Sequence, residues 1–272
     1  MPVVHAPAPE LRDLAHEMAA AAAATDSGAF LIGVVGSVAV GKSTFAAHLA
    51  DALGTVTVPR ARPDDALVAQ LRRCTVEVVS TDAFLLPNSV LEPLGGAMIK
   101  GTPQSYDWAA LDHFLSAAAG GSAELRLPVY SHEIFDVVPG EMQALSTPDV
   151  LVVEGLNLLQ RPPDAAIDVS RHLHRSIYLH APAPVIEEWF VERFMALTRH
   201  AAETPGDFYS IFVGLDEDEV EAVAVWTWSE INAPNLHRYI EPTRARADLV
   251  VHHGADHSIV RIERQHGVDL PH

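Results

Sequence analysis

Residues 33–44 read G-V-V-G-S-V-A-V-G-K-S-T. Within this stretch, Gly36, Gly41, Lys42 and Ser43 fit G-x-x-x-x-G-K-[ST], the pattern of a phosphate-binding loop. Glycines let successive backbone N–H groups turn inward around a polyphosphate, and the helix N-terminus behind them adds partial positive charge. The lysine would reach the terminal phosphates, and the serine hydroxyl would hold Mg²⁺. The residues expected to form this nucleoside-triphosphate site are Gly36, Ser37, Val38, Ala39, Val40, Gly41, Lys42, Ser43 and Thr44.

Two carboxylates follow apolar runs that resemble buried strands. Asp82 comes after residues 76–80, and Glu154 comes directly after residues 150–153. Ligands of open α/β sheets bind beyond the carboxyl ends of the strands. Each carboxylate could therefore coordinate Mg²⁺ or accept a proton from an attacking hydroxyl. Each could instead cap the next element. We favour the chemical role for both.

Arg193 lies inside a predicted helix beside aromatic residues. An arginine in such a position is often a surface side chain that extends into solvent. In a phosphotransferase, a helix-borne arginine that closes over the γ-phosphate would stabilise the transferred charge. The residues alone leave both interpretations open.

The elements that must position these residues alternate between apolar strands and amphipathic helices. Strands are predicted at 30–35, 76–80, 125–129, 150–153, 177–180 and 249–252, the last being the final strand. Helices are predicted at 11–24, from the phosphate loop to about 53, and at 108–119, 184–197 and 216–232, whereas 56–70 suggests a loop with a short helix. Uniformly apolar strands that alternate with helices indicate an α/β fold with a mostly parallel sheet and helices on both faces.

Composition narrows the possible partners. The formal net charge of −18 argues against binding to nucleic acid or to an anionic membrane, since both require basic patches. The one cysteine, Cys74, excludes an internal disulfide and suggests a small apolar residue beside a strand. The histidine groups 172–174 and 252–253 lack the spacing of a zinc site and are interpreted as surface polar residues. The apolar run 18–24 is too short to span a membrane, so we expect a cytoplasmic protein.

Several further segments are similar to type I (bacterial) pantothenate kinases, which belong to the P-loop kinases. The matching segments are 36–44 (GSVAVGKST), 81–84 (TDAF), 87–88 (PN), 104–107 (QSYD), 128–132 (PVYSH), 148–157 (PDVLVVEGLN), 193–194 (RF), 230–232 (EIN) and 242–244 (PTR). They occur in the family's order and extend over most of the chain. The resemblance implies a three-layer fold of the P-loop NTPase type, with an N-terminal helix (1–28) and a single kinase domain (29–272).

The resemblance also implies roles for individual residues. It implies catalysis by Asp82, Lys42 and Arg193; Mg²⁺ binding by Ser43 and Glu154; a histidine near the adenine, His257; and an acceptor pocket lined by Lys100, Tyr130, His132, Phe135, Phe190 and Asn232. Asp82 would take the proton of the pantothenate hydroxyl, and ATP would supply the phosphoryl group.

Four positions depart from the family's pattern. Phe135 and Phe190 stand where the family has pocket tyrosines, so two hydroxyls that could bond a polar acceptor are missing. Ala47 and Leu197 replace the arginine and phenylalanine that hold coenzyme A, which argues against feedback inhibition by that molecule. These changes leave room for a different small alcohol as acceptor.

Three functions are compatible with these observations. The first is an ATP-dependent kinase of a small alcohol, with pantothenate preferred. The second is a nucleoside kinase of the uridine-kinase type, in which Phe135 and Phe190 would stack on the base. The third is a nucleotide-binding module without phosphotransfer, which would have no use for Asp82 together with Arg193. The family is typically dimeric, and the tryptophan-bearing helix 220–231 would either supply an apolar interface or belong to the core.

Overall fold

The computed structural model describes residues 9–25, 28–59, 71–161, 167–204 and 207–265. In chain order its strands are β1 (Phe30–Val35), β2 (Thr57–Pro59), β3 (Leu71–Arg73), β4 (Val76–Ser80), β5 (Glu124–Ser131), β6 (Asp136–Ser146), β7 (Val150–Gly155), β8 (Arg175–His180), β9 (Leu249–His253) and β10 (Ile259–Arg264). The α-helices are α1 (Pro9–Ala23), α2 (Lys42–Thr55), α3 (Asn88–Leu91), α4 (Trp108–Ala119), α5 (Ala183–Ala201), α6 (Glu217–Thr227) and α7 (Ala233–Asn235).

Six strands form the central sheet in the order β10-β9-β8-β1-β7-β4. All pairings are parallel except that of β10, which runs antiparallel to β9 at one edge. Every residue of β1 and β7 is buried. Since successive side chains of a strand point to opposite faces, both faces of the sheet must be covered at its centre. The predicted α/β class with a mostly parallel sheet between two layers is therefore confirmed.

The register of the three central strands determines where the site residues lie. Val35 of β1 pairs with Gly155 of β7, and Ser80 of β4 pairs with Glu154. Parallel pairing therefore brings the carboxyl ends of β1, β4 and β7 to the same edge of the sheet. The phosphate loop, the turn that contains Asp82, and Glu154 all begin at this edge.

Helix α1 joins the same core as the sheet. Its buried residues recur at helical spacing and are Leu11, Leu14, Ala15, Met18 and Ala19. They belong to the cluster that contains the sheet's core residues, and α1 packs on α2. The N-terminal residues 1–8 of the predicted N-terminal unit lie outside the described residues.

The structure corrects four predictions of secondary structure. Strand β9 is not the last strand, because β10 returns beside it. Thr57–Pro59 pairs with Leu71–Arg73 as a short ribbon where a loop was expected; the rest of that prediction, 60–70, lies outside the described residues. β5 forms a long hairpin with β6. The strand β6 was not predicted because it contains Pro139 and Gly140, which disfavour strands. The predicted helix 216–232 remains α-helical only to Thr227 and then widens into a π-helical turn, Trp228–Asn232.

Cys74 is buried in the short link between β3 and β4, beside a strand as predicted, and burial raises the pKa of its thiol to about 11. None of the helices in the described ranges is long and apolar enough to cross a membrane.

Gly155, the last residue of β7, lies against the turn that carries Asp82. A Cβ atom at Gly155 would lie 1.9 Å from Thr81 Oγ1 and 2.9 Å from Thr81 Cβ. Thr81 is itself buried, so it cannot swing out of the way into solvent. The absence of a side chain at position 155 is what allows the turn 81–84 to approach the sheet this closely.

We therefore expect Gly155→Ala to lower the free energy of unfolding by about 1–3 kcal/mol, the usual cost of overpacking. Urea denaturation followed by circular dichroism measures this change. Gly54→Ala is the matched control, because a Cβ at that helical position meets nothing within 4 Å and alanine favours helix. The double variant Gly155→Ala/Thr81→Ala should regain part of the loss. Equal stability of the Gly155 and Gly54 variants would contradict this account.

Candidate active site

The phosphate loop connects β1 to α2. Gly41 caps α2 with φ of 89°, a left-handed conformation that favours glycine, and no side chain caps the first turn. The N–H groups of that turn are therefore available to an anion. Gly36 lies against β8, where a Cβ would approach the backbone oxygen of Leu179 to 2.8 Å. The loop thus has the close approach and the open helix end that phosphate binding requires.

Lys42 and Ser43 begin α2 and extend toward the carboxyl ends of the neighbouring strands. Lys42 Nζ donates to the backbone oxygen of Ser37, 2.8 Å away. The Ser43 hydroxyl donates to Glu154 Oε1 at 3.0 Å, and Glu154 is 6% exposed. Burial lowers the pKa of Lys42, whereas the nearby carboxylates of Glu154 and Asp82 oppose this shift. The lysine therefore lies near both predicted carboxylates.

Asp82 lies inside a 3₁₀ turn, Thr81–Phe84, directly after β4. The cap of this turn is Ser80, whose hydroxyl oxygen accepts a hydrogen bond from the Asp82 backbone N–H at 3.3 Å. The capping alternative for Asp82 is therefore not what the structure shows. Burial raises the pKa of the Asp82 carboxyl, and Glu154 raises it further, whereas Lys42, His132 and Lys100 lower it. Such a carboxylate is a stronger base than an exposed aspartate.

The β5–β6 hairpin lies near the turn that contains Asp82. Lys100 Nζ donates to Asn88 Oδ1 at 2.7 Å and to the backbone oxygen of Phe135. The same ammonium lies 4.5 Å from the centroid of the Phe135 ring and 5.4 Å from that of Tyr130. Lys100 lowers the pKa of Asp82 electrostatically, as does His132. Four of the six predicted acceptor residues, Lys100, Tyr130, His132 and Phe135, therefore lie together beside Asp82.

Phe135 has a strained backbone, with φ of 51°. A bulky residue adopts this conformation at a cost of about 1–3 kcal/mol unless its surroundings fix it. Here the Phe135 carbonyl accepts from both Lys100 and Asn88 Nδ2, and the ring stacks on Phe208 with centroids 4.6 Å apart. These contacts hold the hairpin tip in one conformation.

The other two predicted acceptor residues are Phe190 and Asn232. Neither makes a hydrogen bond or a ring contact with the four described residues beside Asp82. Phe190 is buried, with Phe194 at 6.0 Å and Trp228 at 5.8 Å between ring centroids. Asn232 is half-buried in the π-helical turn, where its Nδ2 donates to the backbone oxygen of Thr227 at 3.4 Å. π-helical turns frequently occur at functional sites.

A cavity of ≈ 800 Å³ opens from the phosphate loop along α5. Lys42, Ser43, Arg193 and His257 all line it, so the structure brings these predicted residues together. Arg193 forms no ion pair with any described residue, yet its charge is close enough to contribute to the lowered pKa of Lys42. The Arg193 side chain is exposed, as a surface arginine would be, but it borders the same cavity as Lys42. This position favours the phosphate-stabilising interpretation.

Comparisons with known proteins identify the family of this chain. The sequence profile described as "Phosphoribulokinase / Uridine kinase family" matches residues 31–197. The chain belongs to this family. It is 42% identical over 230 residues to the pantothenate kinase of Streptococcus thermophilus, a match that covers 85% of this chain and 70% of the relative. It is also 42% identical over 231 residues to the pantothenate kinase of Sorangium cellulosum, with the same coverage.

The fold is also similar to that of a solved kinase structure. D-glycerate 3-kinase from Cryptococcus neoformans matches with a TM-score of 0.60 at 13% identity, covering 95% of this chain and 100% of that one. At this identity the likeness concerns the fold alone. The family assignment and the relatives at 42% identity establish the chain as an ATP-dependent P-loop kinase that acts on an alcohol.

Three aromatic residues near the site were not predicted from the sequence. Trp189 stacks on His257 with ring centroids 3.8 Å apart, and its Nε1 donates to the backbone oxygen of Ala255 at 3.1 Å. Phe208 and Tyr209 link Phe135 to the helix that carries Arg193, because Tyr209 lies edge-on to Phe194 at 5.2 Å. The only available signal was the density of aromatic residues in 208–212, F-Y-S-I-F, in a segment without predicted structure.

The interpretation of the histidine groups as surface residues was wrong for His253. This side chain is 9% exposed and lines the cavity, because alternation along β9 turns it toward Phe45 of α2. His172 and His174 are half-buried and bonded, His172 to Asp112 and His174 to the Leu31 backbone N–H.

Magnesium would have few protein ligands in this kinase. No group of three or more His, Cys, Asp or Glu side chains with the arrangement of a metal site occurs in the ranges that the structure describes. Magnesium in kinases is held mainly by substrate phosphates and water, with one or two protein oxygens. The bonded pair of Ser43 and Glu154 at the end of the phosphate loop fits such a site.

Proposed function

We propose that this kinase transfers the γ-phosphoryl group of ATP to the hydroxyl of pantothenate, giving 4'-phosphopantothenate, the first step of coenzyme A synthesis. The observation that carries this proposal is the position of Asp82, which interacts electrostatically with Lys42 on the nucleotide side and with Lys100 and His132 on the acceptor side. A base between the two substrate sites is what in-line phosphoryl transfer requires. The pantothenate kinases that are 42% identical support the choice of acceptor.

In the proposed mechanism, Asp82 orients the acceptor hydroxyl and takes its proton. Lys42 and Arg193 neutralise the charge that develops on the transferring group. Ser43 and Glu154 would hold Mg²⁺, which supplies charge neutralisation at the β- and γ-phosphates when it is bound. Transfer is thus achieved by placing opposite charges around the reacting atoms, with no covalent intermediate on the protein.

The acceptor side offers donors that suit the polar groups of pantothenate, which has hydroxyls, an amide and a carboxylate. Lys100, Tyr130 and His132 could each donate a hydrogen bond. Burial raises the pKa of the Tyr130 phenol above its usual value, and Asp82 raises it further, so this hydroxyl keeps its proton as a donor.

Two contacts weigh against a nucleoside as the acceptor. Such an acceptor would use Phe135 and Phe190 as stacking faces. Phe190, however, is buried against Phe194 and Trp228, and Phe135 already stacks on Phe208. We also infer a cytoplasmic location, because the proposed co-substrate ATP is supplied there.

A coupled assay of ADP release, with a panel of acceptors, tests the proposed substrate. We expect turnover with pantothenate and none with uridine, cytidine or D-glycerate. Asp82→Asn, which keeps the shape of the side chain but not its basicity, should lower kcat by roughly 10²–10⁴. Turnover only with another alcohol would reject pantothenate and keep the kinase, whereas full activity of Asp82→Asn would remove Asp82 from the mechanism.

The charges around Asp82 predict how activity depends on pH. A base must be deprotonated, so kcat/KM should fall as the pH drops through the pKa of Asp82, which lies above that of an exposed aspartate. Lys100 lowers this pKa. We therefore expect Lys100→Met to move the acid limb of the pH profile to higher pH.

Arg126→Met is the matched control for this experiment. Arg126 is an exposed cation on the same hairpin, paired with Glu124, and its removal should leave the acid limb in place. An unchanged limb in Lys100→Met, or a shift to lower pH, would refute the electrostatic coupling of Lys100 and Asp82.

We further propose that the kinase forms a homodimer through helix α6. Three residues at helical spacing face the core: Val220, Ala224 and Trp228. The prediction that this helix belongs to the core therefore holds for this face. On another side of the helix, Val225 is 41% and Trp226 52% exposed. Exposed apolar residues of this size are typical of protein interfaces.

Light scattering coupled to size-exclusion chromatography tests this assembly. The wild type should have the mass of two chains, and Trp226→Glu should have the mass of one. Val260→Glu replaces an apolar residue that is 66% exposed on β10 and should leave the mass unchanged. A monomeric wild type would exclude the dimer.

A further inference from the structure

Among the described residues, neutral oxygens hold the ammonium of Lys100, and no carboxylate forms an ion pair with it. The ammonium donates to Asn88 Oδ1 at 2.7 Å and to the backbone oxygen of Phe135. Burial lowers the pKa of Lys100, whereas the carboxylates of Asp136 and Asp82 oppose this shift. An ammonium has three N–H donors, so one of them remains for a ligand.

Asn88 is itself fixed by the tip of the β5–β6 hairpin. It begins α3, in the segment that follows the Asp82 turn. Its backbone N–H donates to Asp136 Oδ1 at 3.0 Å, and its Nδ2 donates to the backbone oxygen of Phe135 at 3.1 Å. These two bonds set the orientation of the Asn88 amide, and its Oδ1 is the atom that accepts from Lys100.

A lysine at this place needs such a support. The side chain is long and flexible, and it loses much rotamer freedom whenever a substrate immobilises it. The nearby carboxylates of Asp82 and Asp136 would also attract an unsupported ammonium. A neutral amide oxygen holds the ammonium without neutralising its charge, so that the loss of rotamer freedom precedes substrate binding.

We propose that Asn88 is a positioning residue that holds the Lys100 ammonium in place and leaves its remaining N–H for the acceptor. The inference rests on the proposed function in that the substrate beside Asp82 is a polar alcohol, but it does not require pantothenate. Asn88 touches neither substrate and acts through Lys100. The competing role for Asn88 is to fix the hairpin through Phe135 alone.

A double-mutant cycle of Asn88→Ala and Lys100→Met separates these roles. Steady-state kinetics use ATP and the alcohol that the wild type phosphorylates in the acceptor panel. We expect Asn88→Ala to raise the acceptor KM about tenfold, the loss for one hydrogen bond to a charged group, and to leave the KM for ATP unchanged. In the Lys100→Met background the same substitution should change the acceptor KM less than about twofold, because the group through which Asn88 acts is already gone.

Two further variants control for effects on the fold. Ser89→Ala changes the exposed neighbour of Asn88 on the same helix and should keep both KM values of the wild type. Asn88→Leu removes both side-chain hydrogen bonds with little change in volume, and it should reproduce the cycle measured with Asn88→Ala. A loss of ATP binding in both Asn88 variants would assign residue 88 to folding and overturn the inference.

The inference is also overturned if the effects of Asn88→Ala and Lys100→Met are additive, since Asn88 would then act through Phe135 and the hairpin. An unchanged acceptor KM in Asn88→Ala overturns it as well. Failure of the proposed function has a different signature, because it shows as absent turnover of pantothenate by the wild type. The cycle is then measured with the alcohol that is phosphorylated, so the two failures remain distinguishable.

Discussion

Parallel pairing of β1 with β7, and of β7 with β4, is the constraint on which the site depends. These backbone hydrogen bonds place Val35 opposite Gly155 and Ser80 opposite Glu154. Ser43 and Glu154, which are 111 residues apart in sequence, therefore meet at one edge. A shift of one residue in any of the three strands would turn their buried side chains to the other face of the sheet. The core and the site are thus fixed by the same pairing.

Neighbouring charges strongly influence one another at this half-buried edge. The ammonium of Lys42 lies among the carboxylates of Asp82 and Glu154, and burial shifts the pKa of Lys42 down and that of Asp82 up. Each shift favours the neutral form of its group, so ionisation of one group depends on the others. Phosphates brought into such a place meet cations that solvent screens poorly.

The sequence predicted the strands that carry this edge because their composition is extreme. β1 and β7 are apolar throughout, and the phosphate loop and the carboxylates follow from where those strands end. It did not predict β6 or β10, whose residues are mostly exposed or half-exposed and so show little apolar periodicity. Nor did it predict the burial of His253, since a histidine at the end of a strand has the same local pattern whether a helix covers it or not. Long-range packing, which no local window records, decides such cases.

The chain contains only two lysines, Lys42 and Lys100. The other sixteen of its eighteen lysine and arginine side chains are arginines. Both lysines lie in the site, and burial lowers the pKa of each. A reagent that attacks uncharged amines can therefore modify only two side chains, Lys42 and Lys100, which lie on either side of Asp82. Bound nucleotide would protect Lys42 from such a reagent, and bound acceptor would protect Lys100. The extent of modification at each lysine would therefore report the occupancy of each site separately.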